Sequence, residues 1–302
     1  MVNNIKNYTA ILLSMIFWSL SFVWIKTALA TYGPITVTSF RLVISVGLLF
    51  VILSVTGKLN KLRREDFKLM LLLAFFEPFM YFMGETFGMS MVSSTTGAVI
   101  ISTIPVLTPI AAIFFTNEKI SANKYLGIII SFIGVGLVVM TPDLNFGASS
   151  KGVSLLFMAV AAGISYSVVL KRIAHKYNAL SIILYQNFFG LLYFIPFFLI
   201  FDYKHFVSTP FDKETILVIA KLAIFASTLA FTFFTYSVKK LGINTSNTFT
   251  NLIPVFTAFF AFLINDTVPT IQNGIGIGIV ICGLFLSQIR FKKPQRALIP
   301  SK

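Results

Sequence analysis

Cysteine occurs once in the 302 residues, at Cys282. No disulfide framework and no zinc cluster can form within the chain. Cys282 sits inside an apolar run and reads as a small buried packing residue. Histidine occurs twice, at His175 and His205. They fall in different linkers, no His-Glu-x-x-His sequence is present, and an intramembrane enzyme therefore has no visible ligand set. No Gly-x-x-x-x-Gly-Lys-Ser/Thr sequence occurs, which excludes a Walker-type ATP engine in this chain. Charge is scarce too: 11% of residues are charged, against roughly 25% in soluble domains. Acids number 10 against 24 Lys and Arg, for a net charge of +14. These bases form no single stripe but short clusters between apolar runs, so a nucleic-acid partner is not expected. Nor is a catalytic residue, a metal or a cofactor.

What fills the chain instead is apolar. Hydrophobic residues make up 57%, and the mean hydropathy is +0.88. Ten runs are each long enough for a hydrocarbon core that takes roughly 20 helical residues. They are 8–29, 35–56, 67–88, 93–116, 122–140, 152–173, 180–201, 214–238, 244–264 and 270–290. Ala28-Leu29-Ala30 resembles a leader cleavage site. The run before it exceeds the about 7–15 residues of a signal h-region, so it reads as a retained first span.

The linkers set the topology. With Lys6 cytoplasmic, the inner connections hold Lys58, Lys61, Arg63, Arg64 and Lys68, then Lys119 and Lys124, then Lys171, Arg172 and Lys176, then Lys239 and Lys240. The outer ones hold Lys151, Lys204 and Lys213. This bias predicts ten spans with both termini cytoplasmic.

The chain also repeats. "STIPVLTPIAAIFFTNE" (102–118) matches "NLIPVFTAFFAFLIND" (251–266), and "SFVWIK" (21–26) matches "YSVVLK" (166–171). Arg41 follows Lys26 by the same fifteen residues as Gln186 follows Lys171. The expected fold is all-α and membrane-spanning, with a five-helix repeat in 1–145, a second in 150–290 and a basic cytoplasmic tail in 291–302. An odd number of spans per half inserts the halves in opposite senses, a signature of secondary transporters with a site between the halves.

In order and in duplicate, these pieces resemble the drug/metabolite transporter superfamily in its ten-helix form with two EamA-type domains. The resemblance rests on "WSLSFVWIK" (18–26), Arg41, "TIPVLTPIAAIFFTNEKI" (103–120) with Gly127 and "GVGLVV" (134–139), and "LIPVFTAFFAFLINDTV" (252–268) with "CGLFL" (282–286). Asn117-Glu118 and Asn265-Asp266 stand where the family usually has Gly-Glu. The resemblance implies a carrier with a central cavity, often an exporter of amino acids or related metabolites. It does not fix the solute.

Candidate site residues follow from charge placed in hydrocarbon. "FFEPFMYFMGETFG" (75–88) puts Glu77 near mid-membrane and Glu85 toward the outer end, with Tyr81 on the same broad face. Glu77 has no base at its depth and is a candidate proton or solute site. Glu85 shares its depth with Lys26, Arg41 and Lys221, which suggests an ion pair or an outer gate. Asn247 and Asn251 lie one turn apart, and with Thr103 they offer polar groups from the corresponding fourth and ninth spans. Trp18 and Tyr166 offer rings for a flat or cationic solute. "GIGIG" (274–278) reads as close helix packing and a candidate homodimer face.

The expected function is secondary transport, in the export direction, of a small polar metabolite, with an amino acid or amine-bearing compound first. Protons are a candidate coupling ion, and the bacterial inner membrane the expected location. The alternatives are an organophosphate or nucleotide-sugar exchanger of the same fold, and an intramembrane enzyme.

Overall fold

The computed structural model describes residues 2–108, 122–140, 148–265 and 270–288. Every regular element among them is helical. Seven helices are long and apolar enough to cross a membrane. They are α1 (Ile5–Leu29), α2 (Pro34–Thr56), α3 (Arg64–Met91), α6 (Ser150–Ile173), α7 (Ala179–Ser208), α8 (Lys213–Leu241) and α9 (Thr245–Ile264). Three shorter apolar helices complete the set: α4 (Ser94–Thr108), α5 (Tyr125–Val139) and α10 (Ile271–Leu286). Each expected run overlaps one of them. Asn117-Glu118, Asp266 and the basic tail lie outside the described residues.

Helix ends follow local chemistry. The side chains of Ser93, Ser149, Asn178 and Asp212 accept backbone N–H bonds at the starts of α4, α6, α7 and α8, which satisfies donors that a helix start leaves orphaned. Gly57, at φ 63°, ends α2, and Gly242, at φ 84°, separates α8 from α9. Both are backbone states that a side chain disfavours.

Helix α1 packs on α8 and α9, and α6 packs on α3 and α4. Helix α2 packs on α7, α4 on α9, and α5 on α10. Exchanging each helix with the one five places along leaves this pattern unchanged. Large apolar side chains remain exposed outside it, among them Phe50, Val51 and Val55 on α2, Leu199 and Ile200 on α7, and Phe259 and Leu263 on α9. Hydrocarbon is the solvent that suits such a surface.

Glycines bring the helices close. A Cβ on Gly84 of α3 would lie 2.5 Å from the Leu155 carbonyl oxygen and 2.8 Å from the Ala159 nitrogen of α6. Gly84→Val is therefore expected to cost about 1–3 kcal/mol or more through overpacking. A fall in the thermal midpoint in detergent measures it. Gly47→Val, with nothing within 4 Å of its added Cβ, should leave the midpoint in place.

In the α5–α10 pair, Gly134 and Gly276 approach each other, and Gly283 lies against Ser131 and Gly127. This revises the reading of "GIGIG": the packed residue is the central Gly276, while Gly274 and Gly278 face open space. Cys282 is exposed, not buried. A helix turns 100° per residue, so with Gly283 against α5 its neighbour points away.

Polar contacts tie the halves at both ends of the bundle. At the end carrying Lys58, Asn178 donates to the Lys58 carbonyl (2.6 Å), and its backbone N–H donates to Asn60 (2.7 Å). There Lys176 and Tyr177 both donate to Asp66, and this bond holds the Lys176 ammonium above its ordinary pKa. At the other end, Asp202 of α7 accepts from the backbone N–H and hydroxyl of Thr36, at 2.8 and 3.0 Å.

Candidate functional site

Between the halves lies a cavity of about 60 Å³. Helices α1, α2, α3, α4, α6, α8 and α9 contribute to its wall.

The repeat register organises that wall. Setting 21–26 against 166–171 pairs Trp18 with Gly163, Ser21 with Tyr166, and Phe22 with Ser167, and all six line the cavity. Setting Pro105 against Pro254 pairs Ile101 with Thr250 and Ile104 with Ile253, which also line it. Ser21, Ser167 and Thr250 escaped the residue-by-residue reading. The repeat alignment contains the signal that finds them.

Helix α3 supplies the charge. Its middle, Phe75–Met80, is a π-type segment, and Glu77 within it is extended (φ −141°, ψ 114°). This break brings Glu77, Tyr81 and Glu85 to the one cavity. Arg41 lines the same cavity as Glu77, so a base does share that cavity.

Arg41 is 2% exposed. Its Nη1 stands 3.9 Å from Glu85 Oε2, its Nε donates to Ser227 Oγ at 2.8 Å, and its guanidinium lies 4.1 Å from the centre of the Phe82 ring. A second layer holds this arrangement. Asn187 Nδ2 donates to Ser45 Oγ (2.8 Å) and to the Ser227 carbonyl (3.1 Å). Ser45 meets Thr228 at 2.7 Å, and Thr228 donates to the Ala223 carbonyl within the π-type turn of α8.

Glu77 is also 2% exposed, and its Oε1 has no hydrogen-bond partner among the described residues. Two carboxylates therefore share one guanidinium, and Arg41 sits against Glu85. With both acids ionised, one negative charge at Glu77 is left over. Aromatic rings frame it: Trp18 and Phe231 meet at 5.0 Å, edge to face, and Tyr166 stands perpendicular to Phe231 at 6.3 Å.

Other expected residues lie elsewhere. Lys26 donates to the Met89 carbonyl at 2.9 Å, not to Glu85. Lys221 forms no ion pair among the described residues. Thr103 is fully buried, bonded to the Ile100 carbonyl of its own helix (2.6 Å), and is absent from the cavity wall. Asn247 lines the cavity and Asn251 does not. Helix α9 tightens to a 3-10 turn over Phe249–Leu252, so four residues no longer return to one face.

The sequence profile of the EamA-like transporter family matches residues 5–140 and 150–288. The chain is 28% identical to the uncharacterized transporter YetK of Bacillus subtilis over 266 residues, 84% of this chain and 78% of that protein. It is 26% identical to an uncharacterized transporter of Archaeoglobus fulgidus, covering 93% of this chain and 98% of the other. One solved crystal structure superposes with a TM-score of 0.65 at 14% identity, over 94% of this chain and 96% of that one. That last likeness concerns the fold alone.

Proposed function

The chain belongs to the EamA-like transporter family, and from that premise we propose that it is a secondary exporter of amino acids or amine-bearing metabolites. It is a multi-pass integral membrane protein. Ten spans, both termini cytoplasmic and two oppositely inserted halves are part of this reading, supported by the lysine and arginine bias of the linkers and the exchangeable helix pairing.

The observation that carries the proposal is the leftover acid in the central cavity. Glu77 receives the ammonium of the solute, or a proton when the solute is gone. Arg41 lies across the same cavity to receive a carboxylate. Its 3.9 Å approach to Glu85 is longer than a charge-assisted hydrogen bond of about 2.7–2.9 Å, so the guanidinium is not saturated. Trp18 and Tyr166 cover the apolar part. A phosphate or nucleotide-sugar would meet two carboxylates and one base, which weighs against the exchanger alternative.

Alternating access requires the halves to part at one end and then at the other. The contacts of Asn178 with Lys58 and Asn60 tie the halves at one end, and those of Asp202 with Thr36 tie them at the other.

The test is counterflow in proteoliposomes with purified protein and a labelled panel of amino acids, amines and sugar phosphates. Saturable exchange of amino acids or amines, recovered chemically unchanged, is the expected result. Exchange of phosphates alone, or product formation, would overturn the proposal.

A further inference from the structure

Ten buried side-chain polar atoms among the described residues make no hydrogen bond, and eight of them belong to α6–α9. They are Tyr166 Oη, both amide atoms of Gln186, Thr232 Oγ1, Thr235 Oγ1, Ser246 Oγ and both amide atoms of Asn251. Gln186 is fully buried, Thr235 is 1% and Tyr166 4% exposed. Native proteins leave few such groups dry, and in hydrocarbon no lipid atom can satisfy them.

Five of the eight lie along one line. Tyr166 lines the central cavity. Gln186 and Thr235 lie within hydrogen-bonding reach of its hydroxyl, although no pair among them meets full hydrogen-bond geometry. Thr232 is one turn from Thr235 on α8, on the same face. Thr232 also lines a second space of about 600 Å³, which opens at the end of the bundle carrying Lys58 and Asn178. The repeat gives this line a counterpart. Gln186 occupies in the second half the position that Arg41 occupies in the first. Arg41 is paired and stacked, whereas Gln186 is a neutral amide that faces the Tyr166 hydroxyl.

We propose that Tyr166, Gln186, Thr235 and Thr232 line a hydrated passage from the central cavity, between α6, α7 and α8, to the Lys58 end of the molecule. Waters along it make the missing hydrogen bonds. In the transport reading, on which this use of it rests, the passage is where solute and water exchange with the cytoplasm. The two halves then differ: one is closed beside the cavity by a charged pair, the other by an uncharged polar file that a small solute can displace.

The test is silver-ion protection in vesicles, with Cys282→Ala as the background because Cys282 is exposed. Thr235→Cys is treated with Ag⁺ from one face, then denatured and labelled with a fluorescent maleimide. Lys58→Cys marks the face and Leu170→Cys, fully buried on α6, is the packed control. Protection of Thr235→Cys from the Lys58 face, about tenfold faster than the control or more, is expected for a water-filled site. A rate equal to the control, or protection only from the opposite face, would overturn the passage.

Radiolytic hydroxyl labelling of the unaltered protein is a second readout, independent of folding of the variants. Tyr166 should be oxidised faster than Phe194, which is 1% exposed in apolar packing; equal rates would count against internal water. Neither measurement needs solute. Protection without counterflow leaves the passage standing and removes the carrier reading, while counterflow without protection does the reverse.

Discussion

Glu77→Gln is expected to lower the affinity for an amine-bearing solute by about 10–100-fold, the loss of one charge-assisted hydrogen bond of about 1.5–3 kcal/mol. The substitution keeps the shape of the side chain and removes its charge. Accumulation against a gradient should fall further than exchange, because the same group is proposed to carry the proton on the return step. The fold should survive. Glu77 Oε1 has no partner to lose among the described residues, so the thermal midpoint in detergent should stay near that of the unaltered protein. Counterflow measured across pH decides the matter. A variant with full exchange and an unchanged pH profile would reduce Glu77 to a buried acid of no consequence for transport.

Arg41→Met should produce the largest loss of stability, about 3–5 kcal/mol, the cost of breaking a buried pair by removing one partner. Arg41 and Glu85 are 2% and 7% exposed at their side chains, so neither charge reaches bulk water. Without the guanidinium, Glu85 and Glu77 face each other across a small cavity with no base. The Ser227 hydroxyl loses its donor and Phe82 its cation. Replacing both partners, Arg41→Met with Glu85→Met, should recover most of that loss, because two matched apolar side chains leave no unpaired charge. Chemical unfolding of both singles and the double gives the coupling energy directly. A single variant within about 0.5 kcal/mol of the parent, the range of ordinary surface changes, would show the pair to be structurally idle.

How much of the site was legible depended on which physical rule governed each residue. Glu77, Glu85 and Arg41 stood out because charge in hydrocarbon is costly and therefore informative, and Tyr81 because it shares a helix face with the two acids. Lys26 belonged to the same class, yet its ammonium is met by the Met89 carbonyl, a partner invisible to any count of charged residues. Depth estimates at Glu77 assume 1.5 Å of rise per residue. Residues Phe75–Met80 abandon that geometry. Asn251 was misplaced for a similar reason, since the 3-10 turn at Phe249–Leu252 rotates it off the face of Asn247. Thr103 was chosen for its polarity alone, and a hydroxyl that can bond back to its own helix need not point at anything.

The order of amino acids was sufficient to specify a membrane-embedded, all-helical chain with two related halves. Those properties rest on composition, on period and on duplication, and each is summed over many residues, so single errors do not change it. It was also sufficient to place the chain in its family. Which side chains meet in the cavity was settled by folding, because that depends on a few local departures from ideal helix geometry. The extended residue at Glu77, the π-type turn of α8 and the tightened turn of α9 each move a side chain by a large part of a turn. The absence of Asn251 from the cavity wall follows from such a shift, while the choice of Arg41 over Lys26 beside Glu85 and the line from Tyr166 to Thr232 depend on how separate helices pack. They are matters of ångströms between helices far apart in the chain, where no pattern of neighbouring residues carries the information.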